Sequence, residues 1–341
     1  MNIKKNIVKE ILYCEYTKEL IMKNIEKLNS VIKYTIFLYI LTFCMGIIMM
    51  LGYNKGSNLN ILSTIQMFYP ALIVIILFKK VEFPMLTKLY IAETLFGIVF
   101  GIISIFIDDV LGLFTLVNSI IHIVYFIIIL KLIIQGRIGK IKIKNIFYWP
   151  IVYIIFWIIY FGGCAYLEGN FQLFSQKITN IHLWKNLIIS LPMFFINFLP
   201  FLGEEYGWRY FLQPKLENIY GKFSGRVMLG IIWGLWHIPL NLFFYDSPIN
   251  CLHSIISQTL GCVILAFIFG FIYDKSKSII LIVVIHFLHN LMSKTFELDT
   301  VFQQTSYTIT FFYLCLLFII CFAAILITKW GENEKNNSNF R

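Results

Sequence analysis

The chain has 341 residues and a formal net charge of +10 at pH 7; 59% of them are hydrophobic, 13% are charged, and the mean hydropathy is +0.79. A soluble domain carries about 25% charged residues, so this chain lacks the polar surface to close a water-soluble fold; an all-α polytopic integral membrane protein is expected. Its basic residues lie in short loops between apolar runs, the pattern of cytoplasmic loops under the positive-inside rule and not of a nucleic-acid surface.

Residues 1–33 are polar and Lys-rich, with no apolar signal core and no small-residue cleavage site. No cleavable signal peptide is expected, and the N-terminus is expected in the cytoplasm. Helical spacing of Ile7, Ile11 and Leu12, then of Leu20, Ile21, Ile25 and Leu28, fits a basic amphipathic helix on the membrane surface or a plain topogenic leader. Apolar stretches of spanning length, about 20 residues, then recur at roughly 34–52, 60–78, 88–107, 111–134, 147–166, 187–213, 227–245, 254–273, 278–294 and 305–328. These predict about 8–10 transmembrane helices. Lys and Arg fill the N-terminal arm and the even gaps: Lys79, Lys80 and Lys88; Arg137, Lys140, Lys142 and Lys144; Lys215, Lys222 and Arg226; Lys275 and Lys277. The odd gaps carry Asp108, Asp109, Asp246, Glu297 and Asp299. Both termini are therefore expected in the cytoplasm of a cell membrane. The seven cysteines form no C-x-x-C pair and read as reduced packing residues. Heavy use of Ile, Lys, Asn, Phe and Tyr points to an AT-rich bacterial genome.

Ionisable side chains inside spans are costly and mark functional sites. Three groups stand out: Glu204, Glu205 and Arg209 in the sixth span, His237 in the seventh, and His286, His289 and Asn290 in the ninth. At 1.5 Å per residue, Glu204 lies ~16 Å from Lys215, His237 ~16 Å from Arg226, and His286 ~14 Å from Lys277. One shared depth predicts one shared site, reached from the cytoplasm. Glu205 and Arg209 stand at i, i+4 in the favourable order for an ion pair, which leaves Glu204, turned about 100° away, available for other work. Gly203 with Gly207 and Gly230 with Gly234 form two G-x-x-x-G motifs, expected to bring spans six and seven together. His289 and the pair Glu93 and His122 read as structural, with Glu93 near enough to the interface to snorkel.

A poorly solvated carboxylate, two imidazoles and a carboxamide suit hydrolysis. Glu204 is placed to activate water, His237 to hold it, and His286 with Asn290 to donate to an oxyanion. The same Glu204, His237 and His286 are possible ligands of zinc or another divalent metal. A cofactor-free reading is favoured for two reasons. A metal would take Glu204 from its role as base, and no carboxylate neighbours either His in sequence to orient it as metal ligands require.

The order Glu204-Glu205-Tyr206-Gly207-Trp208-Arg209, Trp233-Gly234-Leu235-Trp236-His237 and His286-Phe287-Leu288-His289-Asn290 resembles the CPBP (CAAX protease, bacteriocin-processing or Abi) intramembrane proteases, which include the type II CAAX prenyl endopeptidases. The second motif often begins with Phe, where this chain has Trp233. The resemblance covers about residues 187–294. It implies a helical core with a catalytic chamber open to the cytoplasm. In that reading Glu204, His237, His286 and Asn290 are catalytic, and Glu205 and Arg209 support them. It implies an endopeptidase acting on a membrane-associated peptide or protein, such as a pheromone, a bacteriocin precursor or a membrane-protein tail. The family name metalloprotease leaves the metal open. The chain then divides into a basic arm (1–33), transmembrane helices of unassigned role (34–186), a CPBP-like catalytic core (187–294), and a last helix with a polar cytoplasmic tail (295–341). The bilayer is the only further partner expected; the oligomeric state is open. A proton-coupled transporter would also use intramembrane Glu and His, with Pro239 able to break span seven, but no inverted repeat is visible. A non-enzymatic immunity or scaffold role is the other alternative.

Overall fold

A computed structural model of the chain describes residues 2–79, 84–107, 110–135 and 143–301. The expected tenth span (305–328), the C-terminal tail, Cys315 and Cys321 lie outside these residues. All the regular elements among them are helices: α1 (Asn2–Lys55), α2 (Asn60–Gln66), α3 (Tyr69–Phe78), α4 (Pro84–Ile103), α5 (Val110–Ile134), α6 (Ile143–Leu167), α7 (Phe171–Thr179), α8 (Ile181–Ser190), α9 (Met193–Glu205), a π-helical turn (Tyr206–Leu212), α10 (Gln213–Trp236), α11 (Ile238–Phe243), α12 (Cys251–Ser276), α13 (Ile279–Thr295) and α14 (Leu298–Val301).

Among the described residues, six helical runs are long and apolar enough to cross a membrane, or seven if the bent pair α2–α3 is one span. The bundle is an all-α multi-pass membrane protein. Its outward side chains are oily, as at Phe43, Leu116 and Ile159, 70%, 61% and 70% exposed, because lipid and not water is their solvent. The expected spans differ from the helices in form. Spans six and seven are the two arms of one run, Met193–Phe243, which turns at Gly221. Only glycine readily takes the φ of 79° found there. Span two is bent by 41° between α2 and α3, and α13 is shorter than a full span. Residues 2–33 run on into the first span as one helix, α1, with no Gly or Pro to interrupt them.

Both G-x-x-x-G motifs make close contacts, but not with each other. A Cβ on Gly203 or Gly207 would overlap Met67, Phe68 and Pro70, at the α2–α3 break. A Cβ on Gly230 or Gly234 would overlap the backbone of Val263 or Thr259 in α12. Spans six and seven do meet, through Glu204, Trp208 and Arg209 against Trp233, but the glycines serve approaches to other helices. Glycine spacing shows that a partner approaches, not which one. Glu93 does not snorkel; it is 2% exposed, with its carboxylate 3.7 Å from His122.

Candidate active site

Two local breaks build the site. The first is the π turn after Glu205. The extra residue per turn changes the register of the helix, and such turns recur at functional sites. Glu204 and Glu205 stand on the last turn of α9, 3% and 0% exposed. The second break is at His237, which lies between α10 and α11 with φ −79° and ψ 0°. Pro239 has no N–H to continue the ladder, which weakens the helix at this point. The chain just before the break is held by Gln66, whose amide donates to the Trp236 carbonyl at 2.8 Å.

Glu204 is fixed by two indoles. Trp208 Nε1 and Trp233 Nε1 both donate to its Oε2, at 3.2 and 3.0 Å. Trp208 is one turn along the same helix, whereas Trp233 comes from α10. His237 donates Nδ1–H to the backbone carbonyl of Trp233 at 2.9 Å. That bond selects the tautomer whose Nε2 carries a lone pair.

Glu205 is shared. Its Oε1 accepts from His286 Nδ1 at 2.7 Å, and its Oε2 lies 3.3 Å from Arg209 Nε. The ion pair expected from the i, i+4 spacing is present, but it lacks hydrogen-bond geometry, and all three guanidinium nitrogens of Arg209 are buried without hydrogen-bond partners. The pair straddles the junction of α9 with the π turn, where a side chain four residues on no longer stacks directly over the first. The guanidinium instead sits over the rings of Trp233 and Phe269, 4.8 and 5.3 Å from their centroids, a cation–π arrangement.

These groups face a cavity of about 830 Å³ lined by Glu204, Trp233, His237, His286 and Asn290. The three motifs thus converge as their common depth predicts. Glu205 and Arg209 lie behind the wall. His289, read as packing, also lines the cavity and is bonded to the Tyr153 hydroxyl at 2.7 Å. Asn241 and Cys262 are among the lining residues that were not singled out from the sequence. Asn241 is 1% exposed; its Oδ1 accepts from Ser254 Oγ at 3.0 Å, and its amide nitrogen has no hydrogen-bond partner. It stands at His237+4, a spacing that marks the shared face. Cys262, with Sγ 3.9 Å from His237 Nδ1, comes from α12, which carries none of the motifs and so gave no local signal.

A metal on Glu204, His237 and His286 would require their donor atoms about 2 Å from one point. Among the described residues no three His, Cys, Asp or Glu side chains form a group that could hold a metal ion, and Glu204 is committed to two indoles. Contrary to the expectation from sequence, His286 has an orienting carboxylate, Glu205, and His237 an orienting carbonyl. Both partners are as useful to a metal-free imidazole as to a ligand.

A family model described as type II CAAX prenyl endopeptidase Rce1-like matches residues 185–292. A protein of Methanococcus maripaludis named CAAX prenyl protease 2 is 31% identical over 150 residues, 42% of this chain and 53% of that protein. The chain thus spans about half the length of this curated relative. No solved structure matches significantly.

Proposed function

We propose that the chain is a CAAX protease of the CPBP type, a reading supported by the similarity of residues 185–292 to the type II CAAX prenyl endopeptidase model, and that it is an intramembrane endopeptidase that cleaves a membrane-associated peptide or protein with a water activated by Glu204. The observation that carries this reading is the convergence of Glu204, His237, His286 and Asn290, from three separate motifs, on one cavity wall.

In this mechanism water sits between Glu204 and His237 Nε2, which accepts a hydrogen bond because Nδ1–H is given to Trp233. Glu204 takes one proton as the water oxygen bonds to the scissile carbonyl carbon. The carbonyl electrons move onto oxygen, where Asn290 and His286 Nε2–H donate to the oxyanion. For His286 to donate there while also donating to Glu205, the ring must be the imidazolium. Two carboxylates, Glu204 and Glu205, then face two cations, Arg209 and His286, and the site is neutral. Collapse of the oxyanion breaks the C–N bond, and Glu204 returns its proton to the leaving amine. No metal is needed in this sequence.

The test compares membrane proteomes of host cells carrying the wild-type and Glu204→Gln alleles, followed by cleavage of the accumulating precursor by purified protein. Glu204→Gln and His237→Ala should each lower turnover by about a hundredfold or more with thermal unfolding unchanged. Near wild-type cleavage by either folded variant would sink the assignment.

A further inference from the structure

The cavity has a direction. From the Glu204 carboxylate it runs past His237 and Asn241 to Tyr245, Asp246, Lys294 and Glu297, the loop after α11 and the end of α13. Tyr245 and Glu297 are exposed there, and Lys177 pairs with Glu297 at 2.7 Å. The same end holds Lys55, over the Phe106 ring, and the α1–α2 turn, where Ser57 bonds the Ile105 carbonyl.

The basic loops lie at the other end of the bundle. Phe211 there touches Tyr34 and Phe78 and carries Lys215 over its ring, which gathers the bases Lys33, Lys79 and Lys215. Phe271 touches Trp149 and lies under Lys275. Arg226 and Lys222 both bond Asp274, beside Lys277. Among the described residues near the helix ends and turns, this end carries Lys27, Lys33, Lys79, Lys88, Lys131, Lys144, Lys215, Lys222, Arg226, Lys275 and Lys277, whereas the cavity end carries Lys55, Lys177, Lys185 and Lys294. In short loops it is this Lys/Arg imbalance that sets orientation, and the richer end stays in the cytoplasm.

We propose that the chamber is entered from the non-cytoplasmic side of the membrane, and that its substrate is a translocated or membrane-anchored segment whose scissile bond is presented at that face. This reverses the cytoplasmic opening that the family resemblance implies. The chamber's task rests on the protease reading; its sidedness does not.

The test is topological and uses the full-length chain. Ile249→Cys, at a loop position 94% exposed beside the cavity mouth, and Tyr220→Cys, 41% exposed beside the Gly221 turn, are each made with Cys251→Ser. Each is treated with a membrane-impermeant maleimide in intact cells and after lysis, against the parent. The proposal expects Ile249→Cys to be labelled as fully in intact cells as after lysis, and Tyr220→Cys only after lysis. Protection of Ile249→Cys in intact cells overturns it. So does complementation of a short reporter tag inserted after Ile249 by a fragment expressed in the cytoplasm. Labelling reads topology alone, so a failure here and a failure of Glu204→Gln to stop cleavage are separate results.

Discussion

Trp233 holds both halves of the proposed water-activating pair: its indole donates to Glu204 Oε2 at 3.0 Å, and its backbone carbonyl accepts from His237 Nδ1 at 2.9 Å. The ring choice therefore matters separately from the backbone. Trp233→Phe keeps an aromatic wall and the His237 bond but removes one of two donors to the carboxylate. A hydrogen bond to a charged group contributes about 1.5–3 kcal/mol, and each 1.4 kcal/mol is about tenfold in rate. With Trp208 still in place, cleavage should fall about tenfold at unchanged folding. An unaltered kcat/KM would show that the indole bond has no part in positioning the base.

Glu205 should be coupled more strongly to His286 than to Arg209. The first contact is a 2.7 Å hydrogen bond; the second is a 3.3 Å approach without hydrogen-bond geometry. Glu205→Ala leaves a buried guanidinium uncompensated, and breaking a buried pair costs about 3–5 kcal/mol. Double-mutant cycles on unfolding in detergent should give the larger coupling energy for Glu205 with His286. Equal or reversed couplings would mean that the guanidinium and not the imidazole sets the position of Glu205.

Protein purified without added metal should contain substoichiometric zinc, and its cleavage should survive tight chelators. The expectation follows from a mechanism that uses Glu204 as the base, and from the described residues, among which no three His, Cys, Asp or Glu side chains form a group that could hold a metal ion. Stoichiometric zinc, lost together with activity and restored by adding zinc back, would instead make Glu204, His237 and His286 ligands.

Cys262 lies beside His237 and invites a thiol reading, but its Sγ faces the Nδ1 that is already bonded to Trp233. Cys262→Ala should therefore retain most of the cleavage activity, and thiol reagents should inhibit only by filling the cavity. Abolition of turnover by this substitution, in a protein that still folds, would move the nucleophile from water to sulfur.

The sequence by itself determined the class of fold and the residues to watch. Long apolar runs have no alternative to helix in lipid, because every backbone polar group must be satisfied within the segment. Charged groups inside such runs are too costly to be incidental, so Glu204, His237 and His286 could be found, and matched in depth, from a rise of 1.5 Å per residue. Pro239 also foretold the break at His237. Neighbours across helices could not be read this way. Periodicity gives the face of a helix but not what packs on it, so the partners of Gly203 and Gly230, the Glu205 carboxylate behind His286, the indole of Trp233 on Glu204, and Asn241 and Cys262 in the wall appeared only with the tertiary structure. The π turn decided the Glu205–Arg209 geometry, since its register departs from the 3.6-residue spacing that any helical pattern assumes. The end of the bundle at which the cavity opens appeared only with the packing, because one depth can be reached from either end of a helix; the membrane face proposed for that opening rests on the basic residues gathered at the opposite end.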